Sequence, residues 1–351
     1  MKSDVQPTAD PTARRASDVR LVGAITADDY QRNMVLSPYG LRRLFAMLLL
    51  GARGRTHDQI AGALDVTDET DATPPALPGF HVRDGMWIAR GYTTLPSFET
   101  AIRSRFDADI AHVDFGSPDA IPSIKRWVSR ATGGQVPSLP LPHDDLRFVA
   151  VDALMYHVAW SQPFEVGHTK AGPFHAADRT TQVPMMHRVV SAQIFDDARG
   201  RYIRLPFTDG NSMLIALPTK NLVASTLTHA VQVLDAPFAT AEVQLTLPRF
   251  SVSSHVDLLR PLERLGIADS FRPDADFTPI FGHAGTRLTF AFQQGAIAVD
   301  ERGAQMAVVS VVGVDLGLSL LRTFNVDRPF AFVVEDSKTH QVLVAGIVAH
   351  P

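Results

Sequence analysis

The chain has 351 residues, of which 45% are hydrophobic and 20% charged, a composition ordinary for a folded protein with a sizeable core. Its net charge of −4 comes without a basic block, so binding to nucleic acid or to a membrane surface has no compositional support. The lack of cysteine excludes disulfides, thiolate metal sites and a cysteine nucleophile.

The first 17 residues are polar, and we expect a disordered lead-in over 1–17 followed by a single domain over 18–351. The lead-in lacks the apolar core of a signal peptide. We therefore expect the protein to stay in the cytosol or to leave by a route that this sequence does not show. The first predicted helix is Asp18–Ile25, where apolar residues become periodic.

The first half of the chain alternates predicted helices and short strands. Glycines and prolines mark most of the boundaries, and Thr56 is the expected N-cap of the third helix. The expected helices are Leu41–Leu50, His57–Leu64, Pro96–Phe106 and Ile121–Thr132, and the expected strands are Met34–Leu36, Gly85–Ile88 and Ala111–Phe115.

Strands dominate the second half. Phe148–Trp160 is a long apolar run that predicts a central strand buried on both faces. The remaining expected strands are Gln182–Met186, Tyr202–Phe207, Ser212–Leu217, Glu242–Leu247, Arg287–Val299, Phe330–Val334 and Val342–Ala349, and a helix is expected over Val256–Leu265. Because no linker separates two cores, the pattern indicates one large mixed α+β domain.

The segment Ala304–Leu320 has a pattern of its own. Apart from Ser310, its even-numbered positions are all apolar, and from Val312 onward the odd-numbered ones are small or polar. This is the two-residue period of a strand with one buried face, yet the segment is longer than most strands. It suggests a chain that can enter a sheet, although an ordinary buried strand with a ragged loop has the same pattern.

At this point the order of segments resembles a known family, the serpins. The similarity runs from about Asp18 to Pro351 and rests on many short motifs in the right order. They are NMVLSP (33–38), LGARGRT (50–56), VDF (113–115), IKRWV (124–128), TGGQV (132–136), WSQPF (160–164), VPMMH (183–187), LPRF (247–250), VDERG (299–303) and DRPF (327–330).

The resemblance implies a fold with three β-sheets, eight or nine helices and an exposed reactive loop over about 303–324, in a member of prokaryotic, bacterial type. In the family a serine protease cleaves this loop and becomes acylated, and the loop then enters the central sheet as a new strand. Family spacing places the cleaved bond at Gly317–Leu318 or at Leu318–Ser319. Both sites are apolar, so the expected target is a chymotrypsin-, elastase- or subtilisin-like protease.

The expected hinge of that loop departs from the family pattern. It comprises Glu301, Gly303, Ala304, Met306 and Val308. Family hinges carry small side chains, whereas Met306 and Val308 are bulky. Valine favours the strand that the hinge would join. A bulky side chain slows its entry, however, and slow entry would turn an inhibitor into a substrate.

The polar cluster expected beneath the central sheet is also altered. By similarity to the family, Ser37 is retained, while Gly40, Asp152 and Gln293 replace a serine, an asparagine and a histidine. A buried aspartate is costly unless it is paired or protonated. We expect either a rewired hydrogen-bond set, with Asp152 bonded to Ser37 or Gln293, or a polar site put to another use.

Further expectations follow from the charged and titratable residues. Glu301 and Arg249 match a family ion pair that restrains the loop before cleavage. No metal-ligand, nucleophile-elbow or nucleotide-binding motif occurs in the sequence, so we predict neither a metal nor a cofactor. If the scaffold serves as an enzyme instead, Asp152, His157 and Ser37 are the candidate catalytic residues.

Two hypotheses on function therefore remain open. The first is a monomeric suicide inhibitor of a serine protease with an apolar cleavage preference. The second is a non-inhibitory serpin scaffold recruited as a binding protein or as an enzyme. The bulky hinge is the feature that separates the two.

Overall fold

A hydrophobic helix near the N-terminus, α2 (Pro38–Gly51), lies at the centre of the fold. The computed structural model describes residues 11–66, 74–136, 139–141, 146–304 and 321–351. Its α-helices are α1 (Pro11–Thr26), α2 (Pro38–Gly51), α3 (Gly54–Leu64), α4 (Pro96–Phe106), α5 (Ala120–Ala131), α6 (Ser225–Gln232), α7 (Leu259–Arg264) and α8 (Thr278–Phe281). None of these described helices combines the length and apolarity needed to cross a membrane.

The strands of the described ranges alternate with these helices in the first half and dominate the second. They are β1 (Met34–Leu36), β2 (Phe80–Ala89), β3 (Asp109–Val113), β4 (Phe148–Tyr156), β5 (Val158–Ala159), β6 (Lys170–His175), β7 (Thr180–Asp196), β8 (Gly200–Pro206), β9 (Ser212–Pro218), β10 (Ala239–Pro248), β11 (Phe250–Asp257), β12 (Phe292–Val299), β13 (Gly303–Ala304), β14 (Arg322–Asn325), β15 (Phe330–Glu335) and β16 (Val342–Val348).

Two sheets share the 17-residue strand β7. Residues 180–185 of β7 pair with β6, residues 185–194 pair with β10, and β14 extends the sheet beyond β10. The end of β7 pairs with β8, from which the second sheet continues through β9, β15 and β16 to β1. The third, central sheet is interrupted: β3-β2-β4 forms one part, β11-β12 the other, and β5-β13 a short ladder at one end. The mixed α+β fold with three sheets and eight helices matches the expectation for the described chain.

The local sequence explains why α2 begins where it does. The hydroxyl of Ser37 accepts a hydrogen bond from the Gly40 N–H at 2.9 Å, and Pro38 occupies the first turn, where its missing N–H costs nothing. Phe45, Ala46 and Met47 are no more than 1% exposed. The helix therefore packs into the core and places its N-terminus directly beneath the central sheet.

The first helix begins earlier than predicted. It starts at Pro11, so residues 11–17 do not belong to a disordered lead-in. Their polar side chains are used in the fold: Arg15 pairs with Glu335 and Asp235, and the Ser17 hydroxyl donates to the Leu64 carbonyl at 3.0 Å. Sequence patterning missed this turn because its contacts are polar.

Three further predictions were wrong in detail. The N-cap of α3 is Arg53, and Thr56 instead accepts a hydrogen bond from the Asp276 N–H at 3.0 Å. The run 256–265 begins as the end of β11, and its helix starts only at Leu259. Phe148–Trp160 is not buried on both faces, because β4 borders an opening in the central sheet.

Candidate functional site

The central sheet has a slot between β4 and β12. Within the described residues no ladder of hydrogen bonds joins these two strands, and most of their residues are only partly buried. A cavity of about 180 Å³ lies at one end of the slot, lined by Phe148–Leu154 and by Phe292–Gln294 together with α2 and α5. A second cavity of about 60 Å³ lies at the other end, between 154–158 and 296–298. Both walls therefore present strand edges with unpaired backbone groups.

Two of the hinge residues, Gly303 and Ala304, already lie beside the slot. Gly303 pairs with Ala159 and Ala304 pairs with Val158, both antiparallel. Gly303 has φ +133°, and a Cβ there would lie 2.4 Å from the Val158 carbonyl oxygen. Only glycine fits this position, because it tolerates both the positive φ and the close backbone approach. Gly303 and Ala304 thus run antiparallel to β5, which continues the line of β4.

The turn before the hinge is held by the segment that follows β5. The Trp160 N–H donates to the Arg302 carbonyl and its indole N–H to the Asp300 carbonyl, both at 3.0 Å. The Phe164 N–H donates to the Glu301 carbonyl at 2.8 Å. These bonds fix the direction in which the chain leaves β12.

The structure contains the predicted ion pair at this turn. The Arg249 guanidinium lies 2.5 Å from Glu301 Oε1, and the Thr169 hydroxyl donates to the same oxygen at 2.6 Å. Burial of Glu301 acts to raise its pKa, but these two hydrogen bonds outweigh that effect and hold the pKa below its ordinary value. That the pair restrains the loop stays a prediction.

Replacement of Glu301 by glutamine should destabilise the intact protein by about 1 kcal/mol at neutral pH, since Arg249 loses its charged partner but remains hydrated. A lowered folded-state pKa stabilises the fold above the unfolded-state pKa and loses that effect as the pH falls through the folded-state value. The difference in melting temperature between the wild type and Glu301→Gln should therefore shrink toward acid pH. A constant difference from pH 7 to pH 3 would contradict the assignment.

Ser37 and Gln293 form one half of the predicted polar cluster. Gln293 Oε1 accepts from the Ser37 N–H at 2.7 Å, and its amide nitrogen donates to the Ser37 carbonyl at 3.1 Å. The Ser37 hydroxyl donates to the Leu343 carbonyl at 2.6 Å. The side chain of Gln293 thus ties β12 to the N-terminus of α2.

The other half of the cluster differs from the expectation. Asp152 bonds neither to Ser37 nor to Gln293. It lies opposite Asp84 in the antiparallel pairing of β2 with β4. Arg43, on α2, contacts both aspartates. The guanidinium lies 2.7 Å from Asp84 Oδ2 and 3.9 Å from Asp152 Oδ2. The reason is steric: a Cβ on Gly40 would lie 2.4 Å from Asp152 Oδ1, so the aspartate fills the space that a side chain there would take.

These two aspartates share one buried cation. Burial raises the pKa of Asp152 well above its ordinary value, the neighbouring Asp84 raises it further, and Arg43 opposes both effects. Burial also raises the pKa of Asp84, against the lowering effect of Arg43. Asp152 Oδ2 and Asp84 Oδ1 have no hydrogen-bond partner among the described residues. Burial therefore favours the protonated form of this pair, and one oxygen of each carboxyl lacks a hydrogen-bond partner among the described residues.

The alternative catalytic residues do not come together. His157 Nε2 lies 3.4 Å from Gln135, and neither Ser37 nor Asp152 is hydrogen-bonded to it within the described chain. The Ser37 hydroxyl is committed to a backbone carbonyl. These three residues therefore do not form a nucleophile, base and orienting acid.

One acidic group elsewhere has the spacing of a metal site. Asp235, Glu335 and His340 offer ligand atoms within 4.8 Å of one another. The Arg15 guanidinium already pairs with both carboxylates, Asp235 at 3.1 Å and Glu335. Because the Arg15 guanidinium already neutralises the two carboxylates, we interpret the group as an ion-pair network and not as a metal site.

Sequence reasoning missed Arg43 and Asp84. The signal was present: Arg42-Arg43 interrupts an otherwise apolar helix, and Asp84 directly precedes the predicted strand Gly85–Ile88. Buried charges at such positions require partners. The sequence alone, however, does not show which charges meet.

Comparisons with known proteins agree with this architecture. A family described as serpin (serine protease inhibitor) matches residues 16–351. Plasminogen activator inhibitor 1 of Sus scrofa is 32% identical, over 97% of this chain and 92% of that protein. Glia-derived nexin of Rattus norvegicus is 27% identical, over 95% of this chain and 91% of the other.

Solved structures show the same fold. Native protease nexin-1 with heparin superposes with a TM-score of 0.84 at 26% identity, covering 97% of this chain and all 100% of the other. The thermophilic serpin tengpin in its native state has a TM-score of 0.87 at 20% identity, covering 99% and 96%. The chain belongs to the serpin family.

Proposed function

We propose that this serpin is a suicide inhibitor of a serine protease with an apolar cleavage preference, and that it acts by inserting its cleaved loop into the slot between β4 and β12. The observation that carries the proposal is the open slot, into which the first hinge residues already lead. The family match and the inhibitors among its relatives support the same activity.

The slot suits a new antiparallel strand. β4 and β12 each offer a free edge, so an entering strand would be hydrogen-bonded on both sides. The hinge already runs antiparallel to β5, the continuation of β4. The even-numbered positions after Ala304 are mostly apolar and would face the buried side. Insertion thus converts two exposed edges into one continuous sheet.

The apolar preference rests on the residues at the predicted cleavage site. The two candidate bonds, Gly317–Leu318 and Leu318–Ser319, lie outside the described residues. Both involve Leu318, and the nearest arginine, Arg322, lies at the start of β14. A protease with an apolar primary pocket would therefore accept this loop, whereas a trypsin-like protease would not.

The test is incubation with subtilisin and with chymotrypsin, followed by denaturing gel electrophoresis. We expect a covalent complex that survives denaturation, and mass spectrometry of the released C-terminal peptide should place the cut next to Leu318. Cleavage by both proteases without any stable complex would reject inhibition and favour the non-inhibitory alternative.

A hinge variant supplies the matched control. Ala304 pairs with Val158, which is 5% exposed, so Ala304→Arg would drive a charge onto a buried face. We expect its complex yield to fall at least about tenfold while the loop is still cleaved. Ala304→Ser should inhibit like the wild type. Equal complex yields from the arginine and serine variants would show that insertion is not required.

A further inference from the structure

The larger cavity, between β4, β12 and α2, has an apolar wall over most of its extent. The side chains that make this wall include Leu41, Leu44, Phe45, Leu48, Phe148 and Phe292. A cavity of about 150 Å³ with a lining of this kind stays dry and binds benzene. At about 180 Å³, the cavity therefore has room for one aromatic ring or a short alkyl chain.

A single acidic side chain interrupts the apolar wall. Among the described residues that line the cavity, Asp152 is the only acidic one, and its side chain is 6% exposed. Gly40 also lines the cavity, and Asp152 Oδ1 occupies the space that a Gly40 side chain would take. Asp152 Oδ2 has no hydrogen-bond partner within the described ranges. The cavity thus contains a buried polar group that the fold does not satisfy, which is costly.

The charges around Asp152 do not balance when both aspartates are ionised. Asp84, on β2, lies directly opposite, and the Arg43 guanidinium on α2 serves both carboxyls, at 2.7 Å from Asp84 and 3.9 Å from Asp152. Burial raises the pKa of the nearby Tyr39 phenol, so this group stays neutral. The described lining residues of α5 and β12 carry no charge. The ionised pair therefore lacks one positive charge, and this deficit lies at the cavity wall.

Two arginines, Arg147 and Arg287, also line the cavity, but both are exposed. Arg147 precedes Asp152 by five residues, which corresponds to about 17 Å of extended chain. Because both guanidinium groups are solvated, their effect on the buried carboxyl is weakened by screening. They mark the solvent end of the cavity and offer a place for an anion, which the test below compares with the buried acid.

We propose that the cavity between β4, β12 and α2 is a binding site for a small lipophilic amine, whose ammonium group pairs with Asp152 and whose ring or short alkyl chain fills the apolar part. The ammonium group supplies the missing positive charge and donates a charge-assisted hydrogen bond to the unpartnered oxygen. The apolar part of the ligand gains from burial against α2 and the two strands. This site goes beyond protease inhibition, because the intact protein binds the ligand and no cleavage is involved.

The site makes a prediction about pH. Burial, with Asp84 adding to the effect, raises the pKa of Asp152 well above its ordinary value, so the empty site favours the protonated acid. An ammonium group pairs with the ionised form, and an alkylamine stays protonated between pH 5 and pH 8, as a lysine side chain does. Binding of the amine at low pH therefore releases the proton of Asp152. The affinity should rise with pH over this range, whereas a surface carboxylate, already ionised at pH 5, would cause no such rise.

The test is calorimetric titration of the intact protein with three probes of similar shape: 2-phenylethylamine, 2-phenylethanol and 3-phenylpropanoate. At pH 8 we expect the amine to bind at least about tenfold more tightly than the alcohol, because only the amine forms the charged hydrogen bond. Its affinity should fall about tenfold at pH 5, while that of the alcohol stays constant. Equal affinities of amine and alcohol, tighter binding of the propanoate, or no binding of any probe would overturn the proposal.

Three variants locate the amine. Asp152→Asn keeps the shape of the side chain, so it should reduce the affinity for the amine to that for the alcohol and abolish the pH dependence. Ala150→Leu, two residues earlier on the same face of β4, fills part of the cavity and should weaken both ligands about tenfold. Asp274→Asn, at an exposed position, is the matched control and should change neither. Undiminished binding of the amine by Asp152→Asn would mean that the amine binds elsewhere, which refutes the assignment.

Discussion

Cleavage of the loop near Leu318 should raise the melting temperature by on the order of 10–20 °C. Insertion of Ala304–Leu316 would bury five large apolar side chains: Met306, Val308, Val312, Val314 and Leu316. Each contributes about 1.5–3 kcal/mol on full burial, so roughly 7–15 kcal/mol is available as an upper bound. For a chain of this size, that range corresponds to a shift of this order. Differential scanning calorimetry of intact and subtilisin-cleaved protein measures it directly.

The Ala304→Arg variant is the control for that experiment. Its loop should be cleaved at the same bond, yet its melting temperature should change by no more than a few degrees, because the arginine blocks entry at the first buried position. An unchanged melting temperature after cleavage of the wild type would mean that the cleaved loop does not enter the central sheet. The bulky hinge residues would then have made the protein non-inhibitory.

Loss of the buried cation beneath the slot should have the largest effect of any single substitution outside the loop. Arg43 is 2% exposed, pairs with Asp84 at 2.7 Å and donates to the Phe106 carbonyl at 2.9 Å. Arg43→Met removes the only cation that this structure places against Asp84 and Asp152 among the described residues. We expect a loss of about 3–5 kcal/mol in the free energy of unfolding, measured by urea denaturation. Arg126→Met, at an exposed position of α5, should change it little.

Neutralising the aspartates tests whether charge causes that loss. The triple variant Arg43→Met/Asp84→Asn/Asp152→Asn should recover most of it, since no uncompensated charge remains buried. In the wild type the raised pKa of Asp152 means that the folded state keeps a proton that the unfolded chain releases. Stability therefore falls as pH rises from about 4, the ordinary carboxyl value, toward the folded-state pKa. Asp152→Asn should remove this dependence of the unfolding free energy on pH, whereas Asp274→Asn on the surface should not. If the wild type and both variants show the same dependence, the assignment of a buried aspartate pair is wrong.

Much of the fold was predictable because its patterns are local. The expected helix Pro96–Phe106 is present, and the expected strands Tyr202–Phe207 and Ser212–Leu217 lie within two residues of β8 and β9. Apolar spacing and turn residues are sufficient for such elements. The helical turn at 11–17 was missed because its contacts are salt bridges and hydrogen bonds to distant parts of the chain, which leave no periodic trace.

The sequence predicted which residues lie at the candidate site, but not which of them interact with one another. Ser37, Gly40, Asp152 and Gln293 do lie around one end of the slot, and Glu301 pairs with Arg249. In the structure, however, Asp152 lies against Asp84 and Arg43. Its partner depends on the register between two strands far apart in the chain and on the empty space above Gly40.

The amino-acid sequence on its own determined the family, the order of elements and a loop whose even-numbered face is apolar except for one serine. These properties are carried by short motifs and by side-chain periodicity, which do not depend on distant contacts. Only the tertiary structure decided that the central sheet has an open slot, that Gly303 and Ala304 already lead into it, and that a buried arginine holds two aspartates beneath it. Cross-strand register and burial create these features, and both arise only when remote segments pack together.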